Sequence, residues 1–254
     1  MRGLLETYYD IQRIRIALNN QLFAKNSGLS EQAQVHLKEK VLHFLLQSEK
    51  NLQSFMKVSL RYEPIWKEWL KDVKGIGPVL GSVLISYLEP IERFSTISKL
   101  WRYSGYACID GKIERRQKGE KLHYNPRLKT LLWLLGESFV KSKGFYRELY
   151  EQMRAKYDAK WKTPEDCGSA VCKRFGKCLD AHRYAAAKRK VVKVFLVHYW
   201  MVSRQLKGLP VEKPYILQYS DKHTHLIPPP GFDIKFDYGR PELPSELERL
   251  IEAV

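Results

Sequence analysis

Hydrophobic residues in the first 63 positions recur every three or four residues, the period of an α-helix with one buried face. Two such stripes are separated by "KNSGLS", which ends in Ser30, a favourable helix N-cap. The pattern predicts an antiparallel helical hairpin over residues 1–63. Such stripes more often pack on each other or on a second copy than on a ligand, so we expect a homodimer. Arg15 and Ser48 lie on or beside the stripes and argue against a long regular coiled coil. The stripes consist of Leu4, Tyr8, Ile11, Ile14, Leu18 and Leu22, and of Leu37, Val41, Phe44, Leu52 and Phe55.

The next pattern is a pair of helices joined by "KGIGP" at residues 74–78. The segment "PIWKEWLKDV" predicts a helix that begins at Pro64 and ends at Lys74, and Pro78 suits the first position of a second helix that stops before Pro90. Glycine allows positive φ and close backbone approach in such a turn, and the second helix then directs its free N–H groups outward, where they can hold a phosphate. The alternative is an ordinary corner between helices. The predicted DNA contacts here are Lys74, Gly75, Ile76 as the buried anchor, Gly77 and Val79.

A small β-hairpin is predicted after the short helix "FSTISKLWRYSGY", which Ser95 or Thr96 can cap and Gly105 can end. Asp110-Gly111 stands between two alternating runs, a strong signal for a two-residue hairpin turn. The second strand and its continuation are basic, which suits the groove of a nucleic acid but equally a solvated surface. The predicted contacts are Lys112, Arg115, Arg116, Lys118 and Lys121.

Asn125 and Pro126 are a predicted N-cap and first residue of a helix that continues to a stop near Gly144. Arg127 and Lys129 lie in its first turn, where they oppose the helix dipole unless a phosphate binds there; simple solvent exposure is the alternative. The predicted core face consists of Leu128, Leu131, Leu132 and Leu135. A further amphipathic helix, "FYRELYEQMRAKY", follows.

The net charge of the chain indicates which class of molecule it binds. Lys and Arg outnumber Asp and Glu by 44 to 28, giving a formal net charge of +16 and a pI near 9.6. Such a field attracts polyanions, which makes nucleic acid the leading partner; a generally basic protein without a specific ligand is the alternative. Neither a membrane-spanning stretch nor a secretory leader is evident, so we expect a cytoplasmic, nucleoid-associated protein.

Residues 73–157 resemble the C-terminal domain of the insertion-sequence transposase family one-ten, also called the one-sixteen and nine-oh-two group. The similar pieces occur in the same order: "VKGIGPVLGSVLI", "FSTISKLWRYSGY", the basic stretch, "NPRLKTLLWLL" and "FYRELYEQMRAK". The resemblance implies a helix-hairpin-helix domain that binds DNA, a serine nucleophile in the basic loop, and a separate resolvase-like nuclease domain with four carboxylates.

Two features of the sequence differ from that family. Residues 1–63 have no alternating strand and helix pattern, so we expect these residues to lack the nuclease domain and its Mg²⁺ site. The basic loop contains no serine between Gly105 and Ser138, and Ser104 precedes the loop. Nucleophilic catalysis needs a positioned, activated hydroxyl. We therefore expect no catalytic residues and a DNA-binding protein without strand-transfer chemistry, although an active or partner-dependent recombinase and an RNA-binding factor stay open as alternatives.

A metal site is predicted from "CGSAVCKRFGKCLDAH". Cys167, Cys172, Cys178 and His182 supply four soft or borderline donors in one short loop, a set that suits tetrahedral Zn²⁺ in a structural role. Three reduced cysteines in a flexible loop are the alternative. The loop has little apolar content, so a metal would supply order that a core cannot.

The helix that follows the cysteines has many basic residues and, in the sequence, no acidic residue opposing them. We expect it to be a second phosphate-binding surface, with solvation as the alternative. Its predicted contacts are Lys188, Arg189, Lys190 and Lys193.

The sequence thus predicts a mainly α protein in four segments. Residues 1–63 form the dimerising hairpin, 64–158 the helix-hairpin-helix domain with its small β-hairpin, 159–208 the zinc loop and basic helix, and 209–254 an extended proline-rich tail with a short terminal helix. The predicted function is DNA binding of low sequence specificity, on duplex or branched DNA, because no base-reading motif is evident.

Overall fold

The computed structural model describes residues 1–24, 28–109, 112–114, 118–119, 121–212 and 226–236. Over these residues the chain is mainly helical, as the sequence predicts, and none of the described helices is long and apolar enough to cross a membrane. The helices are α1 (Arg2–Leu22), α2 (Glu31–His36), α3 (His43–Leu60), α4 (Pro64–Glu68), α5 (Pro78–Leu88), α6 (Ile97–Ser104), α7 (Pro126–Lys141), α8 (Phe145–Lys160), α9 (Pro164–Cys167), α10 (Ala170–Arg174) and α11 (Asp180–Leu206).

The N-terminal helices lie side by side in opposite directions. A π-helical stretch, Leu37–Leu42, joins α2 to α3, and α3 packs along α1. The Gln53 amide donates to the Tyr8 hydroxyl at 3.0 Å, and further along the pair Arg15 forms an ion pair with the buried Glu49. Arg15, which interrupts the apolar stripe in the sequence, is therefore used to join the two helices.

α3 has two apolar faces, and the single stripe predicted from the sequence is wrong here. Met56 and Leu60 are buried in the core, whereas Phe44 and Phe55 are 68% and 61% exposed. At about 100° per residue, these two faces lie roughly 120° apart around the helix. The predicted stripe includes Phe44 and Phe55 of the exposed face but omits Met56 and Leu60, which form the buried face.

The sequence predicts a helix from Pro64 to Lys74, but the predicted end is wrong because the helix ends earlier. α4 ends at Glu68 and a 3₁₀ turn, Leu70–Asp72, follows. Trp69 leaves helical geometry at φ −147°, its ring stacks on Phe195 with centroids 5.8 Å apart, and its indole N–H donates to the Pro230 carbonyl at 3.0 Å. These long-range contacts of one side chain outweigh the local preference for helix.

α11 forms the centre of the molecule. It packs most extensively on α8 and also contacts α7, α6 and α4. Phe195, Leu196 and Tyr199 are fully buried on different sides of it. A single hydrophobic core includes residues from α1 to α11.

The described part of the tail, residues 226–236, packs against this core without helix or strand and includes a turn at Pro230 and Gly231. The His198 ring of α11 is hydrogen-bonded to the Ile227 carbonyl at 2.8 Å, and Gln205 donates to the Asp233 carbonyl at 2.9 Å. The predicted terminal helix lies outside the described residues.

The strand pair is short. β1 (Cys108–Ile109) and β2 (Lys112–Ile113) pair antiparallel, with Cys108 opposite Ile113 and Ile109 opposite Lys112. No longer ribbon is seen among the described residues of this region. The Asp110-Gly111 turn and the predicted contacts Arg115 and Arg116 lie outside them, and so does the side chain of Lys112.

Candidate functional site

The four predicted metal ligands come together at the start of α11. α9 ends at Cys167, α10 carries Cys172, Cys178 precedes α11, and His182 lies in its first turn. The three Sγ atoms and one ring nitrogen of His182 all lie within 4.8 Å of one another. Two very short helices and a loop thus bring together four donors that are spread over 16 positions of the sequence.

Hydrogen bonds and stacking fix several of these donors. The Leu179 backbone N–H donates to Cys172 Sγ at 3.3 Å, and His182 Nδ1 lies 3.4 Å from the same sulfur. The His182 ring stacks on Trp161, with centroids 5.0 Å apart. Trp161 was missed in the sequence analysis, because nothing in the spacing of Trp161 and the cysteines links it to the cluster.

The thiols differ in their protonation. Burial works against the charged form of Cys172, yet the N–H of Leu179 and the neighbouring thiols outweigh it and lower the pKa of Cys172. Burial, together with the hydrogen bond to Cys167, raises the pKa of Cys178 to about 11. A metal ion would compete with protons for these sulfurs, since thiolate is the form that ligates.

The set is chemically suited to a tetrahedral cation. Zn–S bonds of about 2.3 Å and Zn–N bonds of about 2.0 Å place tetrahedral ligands roughly 3.5–3.8 Å apart, so only small movements are required. Four protein ligands would fill a tetrahedral shell and leave no position for a reacting water. Nearby, Arg183 donates to the Cys178 carbonyl at 3.3 Å and pairs with Asp158 of α8 at 2.8 Å, which joins the loop to the helical core.

The glycine turn at residues 74–78 packs against the protein on one side and is open to solvent on the other. Gly75 has φ +95°, its carbonyl accepts a hydrogen bond from the Ser138 hydroxyl at 2.6 Å, and a Cβ there would come within 3.2 Å of the Phe139 ring. Gly77 is exposed, has the extended φ of −93°, and a Cβ there would meet no atom within 4 Å. Ile76 is buried.

The start of α5 agrees with the sequence prediction. Pro78 is its first residue, and Gly77 at the N-cap provides no side chain to satisfy the first-turn N–H groups. Val79 is half-buried beside them. These N–H groups therefore carry the partial positive charge of the helix toward the open side of the turn.

Three exposed lysines surround this turn. Lys74 lies beside Gly144, where a Cβ would come within 2.9 Å of the Lys74 side chain, and Lys141 and Lys143 lie on the chain just before Gly144. The sequence analysis missed Lys141 and Lys143, because only the packing of α7 on the turn brings them close. We call Lys74, Gly77, Lys141 and Lys143 the turn patch.

The basic residues at the start of α7 are already partnered. Arg127 pairs with Glu6 at 3.6 Å and lies 4.8 Å from the Tyr9 ring centroid. Lys129 Nζ donates to the Glu114 carbonyl at 3.0 Å and lies 4.1 Å from the Tyr124 ring centroid. A carboxylate, a carbonyl and aromatic rings thus contact these two side chains within the protein, and their role as phosphate contacts stays a prediction.

One predicted DNA contact on α11 is wrong. Lys188 is 1% exposed, pairs with Glu137 of α7 and lies 2.9 Å from the Trp133 ring centroid. Burial lowers the pKa of Lys188. Neighbouring helices supply the acidic partners that the sequence of α11 lacks, so Lys188 belongs to the core.

The other basic residues of α11 form a second surface. Among the described residues, no carboxylate pairs with Arg189, Lys190 or Lys193; Lys190 is exposed, and Lys193 lies 4.2 Å from the Trp101 ring centroid. We call these three residues the helix patch. Lys118 and Lys121 are exposed.

The predicted DNA contacts therefore do not form one continuous surface. The turn patch lies at the C-terminal end of α7, a helix of 16 residues that spans roughly 24 Å. Arg127 and Lys129 lie at its other end. Among the described basic residues, the turn patch and the helix patch include side chains that face solvent.

Ser104 does not offer a nucleophile. It is fully buried, and its hydroxyl donates to the Trp101 carbonyl at 3.1 Å. A hydroxyl in this position is used by its own helix and is closed to a phosphodiester.

No protein-family model, curated protein or solved structure matches the chain.

Proposed function

We propose that this chain binds DNA with low sequence specificity, as a relative of insertion-sequence transposases that lacks strand-transfer chemistry of its own. The observation that carries the proposal is the turn patch: an uncapped helix N-terminus that opens to solvent at Gly77 beside three exposed lysines. Such a protein would associate with the nucleoid.

The chemistry of the turn patch favours a phosphodiester. Backbone N–H groups and lysine ammonium groups bind phosphate oxygens without reading bases, which gives affinity but little sequence specificity. The net charge of +16 adds long-range attraction. The helix patch would supply a second set of phosphate contacts, since no carboxylate among the described residues pairs with its basic side chains.

Affinity measurements across a salt series test this function. Linear duplex, a four-way junction and structured RNA of equal length would be compared with Mg²⁺ present. We expect tight binding to both DNA forms that weakens steeply as salt increases, without cleavage, because the phosphate contacts release counterions. Weak DNA binding beside tight RNA binding would replace the proposal by an RNA-binding function, and Mg²⁺-dependent cleavage by a recombinase.

We further propose that Cys167, Cys172, Cys178 and His182 hold a structural Zn²⁺. The support is the donor set itself, three thiols and one imidazole with their ligand atoms within 4.8 Å of one another. A bound zinc would order a loop in which Cys172 and Cys178 are the buried apolar contacts.

Metal analysis of the protein purified without chelator tests the zinc site. We expect one zinc per chain, and loss of the metal in Cys172→Ser. Cys108→Ser is the matched control, because Cys108 is an exposed cysteine outside the cluster and its removal leaves the zinc in place. A zinc-to-protein ratio near zero for the wild type would contradict the site.

A further inference from the structure

The outward face of α3 is a heptad stripe that nothing in the described structure covers. Phe44, Ser48, Asn51, Phe55 and Val58 follow one another at steps of four and three residues, the spacing of the a and d positions of a coiled coil. Val41, in the π-helical stretch before α3, and Tyr62, in the turn after it, continue the same spacing in the sequence. All three aromatic residues are largely exposed, with Tyr62 at 84%. We call these seven residues the outer stripe.

The order of residue types in the outer stripe is nearly the same in both directions from its middle. Counted outward from between Glu49 and Lys50, Ser48 corresponds to Asn51, Phe44 to Phe55, and Val41 to Val58. Each pair matches in character: polar with polar, aromatic with aromatic, valine with valine. In an antiparallel coiled coil an a position meets a d position of the other helix, and these pairs have that relation.

This symmetry identifies the occupant as a second copy of the chain. A two-fold interface requires that residue i contacts residue j of the partner while j contacts i, and the reversed match of the stripe supplies that. An unrelated partner would place no such requirement on the helix. The inference is independent of DNA binding, because it uses no residue of the turn or helix patches.

The apolar area is sufficient to begin an interface. Three aromatic side chains exposed by three-fifths or more present roughly 400 Å² per chain. That equals about half of what each partner contributes to a standard interface, and the valines and polar residues of the stripe add to it. It also reaches the size at which an exposed apolar patch on a monomer is usually functional.

We propose that two chains pair through the outer stripe of α3 in antiparallel orientation, with Phe44 of each copy against Phe55 of the other. A parallel pair would place two strongly basic bodies at the same end of the helices, whereas the antiparallel pair holds them apart. The uncharged Gln47 and Ser54 flank the seam near its middle, so like charges do not meet there.

Sedimentation equilibrium of the full chain tests the pairing. We expect twice the 29.9 kDa chain mass at micromolar concentration, and a dissociation constant raised by about 30-fold or more in Phe55→Glu. Phe175→Glu is the matched control, because Phe175 is 62% exposed but lies on the metal loop, and it should dimerise like the wild type. A wild-type chain that stays monomeric at tens of micromolar would overturn the proposal.

Mixing two variants tests the orientation. Phe44→Glu and Phe55→Lys should each dimerise poorly alone. In an antiparallel pair formed from one chain of each, the Glu meets the Lys and the remaining Phe55 meets the remaining Phe44, so the mixture should regain dimers. No regain would contradict the antiparallel orientation.

The alternative to a second copy is that another segment of the same chain covers the outer stripe. If the wild type is monomeric and removal of residues 237–254 converts it to a dimer, that segment covers the outer stripe and the proposal of a second copy is wrong. If truncated and full chains dimerise equally, the stripe is open to the partner as proposed.

Discussion

Lys188 and Lys190 are two positions apart on α11 but have very different environments. Lys190 is exposed on the helix patch, whereas Lys188 is enclosed between α7 and α11. There its ammonium is held by Glu137 and the Trp133 ring, and the Glu137 carboxylate also accepts a hydrogen bond from the Tyr184 hydroxyl at 2.7 Å. Lys188 therefore stabilises the fold, and Lys190 is left for a ligand.

Alanine substitutions should separate these two roles. We expect Lys188→Ala to reduce the free energy of unfolding by about 3 kcal/mol, because it leaves Glu137 without its partner and removes packed methylene groups. Lys190→Ala should change stability by less than about 0.5 kcal/mol but reduce the salt dependence of DNA binding by about one counterion. Chemical denaturation and fluorescence anisotropy measure the two effects. Equal destabilisation by both substitutions would contradict the assigned environments.

Residue-scale predictions from the sequence succeeded where the cause is local. Ser30, Thr96 and Asn125 cap their helices through hydrogen bonds to backbone N–H groups three positions ahead, a relation that the sequence shows directly. The burial of Lys188 depends on Glu137, which lies 51 positions away. No periodicity reveals such a partner.

At the scale of elements, α11 and the tail segment 226–236 are joined through a buried imidazole. His198 is fully buried; its Nδ1 lies 2.8 Å from the Tyr146 hydroxyl and its Nε2 lies 2.8 Å from the Ile227 carbonyl. The carbonyl can only accept, so Nε2 carries the proton and Nδ1 accepts from Tyr146 in the neutral ring. Burial lowers the pKa of His198 to about 4.

This histidine should make stability depend on pH. Because the folded pKa is below the ordinary value near 6.5, the unfolded chain takes up the proton first as pH falls. Stability is therefore retained above pH 6.5 and lost between pH 6.5 and about 4, with about 2 kcal/mol lost by pH 5. Denaturation at pH 7 and pH 5 measures the loss. His198→Gln keeps a donor and an acceptor but does not titrate, so an equally steep loss in this variant would exclude His198 as the cause.

Elements with a single buried face could be predicted, and those shaped by distant contacts could not. All four leucines predicted for the core face of α7 are buried, because one stripe at a helical period has one interpretation. α4 ends early because Trp69 packs on Phe195 and bonds to Pro230, and α3 has two stripes that the sequence cannot assign to different partners. The metal ligands could be named from the sequence because their residue types and spacing are restrictive.

At the scale of the whole molecule, the basic residues of the described chain differ in whether they face solvent or have partners within the protein. The sequence predicts the total charge, but only the fold shows that Lys141 and Lys143 join the glycine turn while Arg127 and Lys129 have partners within the protein. If the turn patch and the helix patch both bind phosphate as proposed, the antiparallel dimer proposed for the outer stripe would carry each of them twice, which suits a protein that holds more than one DNA segment. The transposase resemblance stays a prediction at this scale.

We propose that DNA binds at the open side of the glycine turn, and a Gly77→Asp variant gives the sharpest test of this claim. Aspartate suits the N-cap position of α5 and has open space there, so the fold and its stability should be unchanged. Its carboxylate would stand where we place a phosphate, and we expect at least a tenfold loss of duplex affinity, with Gly77→Ala binding nearly as the wild type. Wild-type affinity in a folded Gly77→Asp protein would contradict the claim and leave "KGIGP" as a corner between two helices.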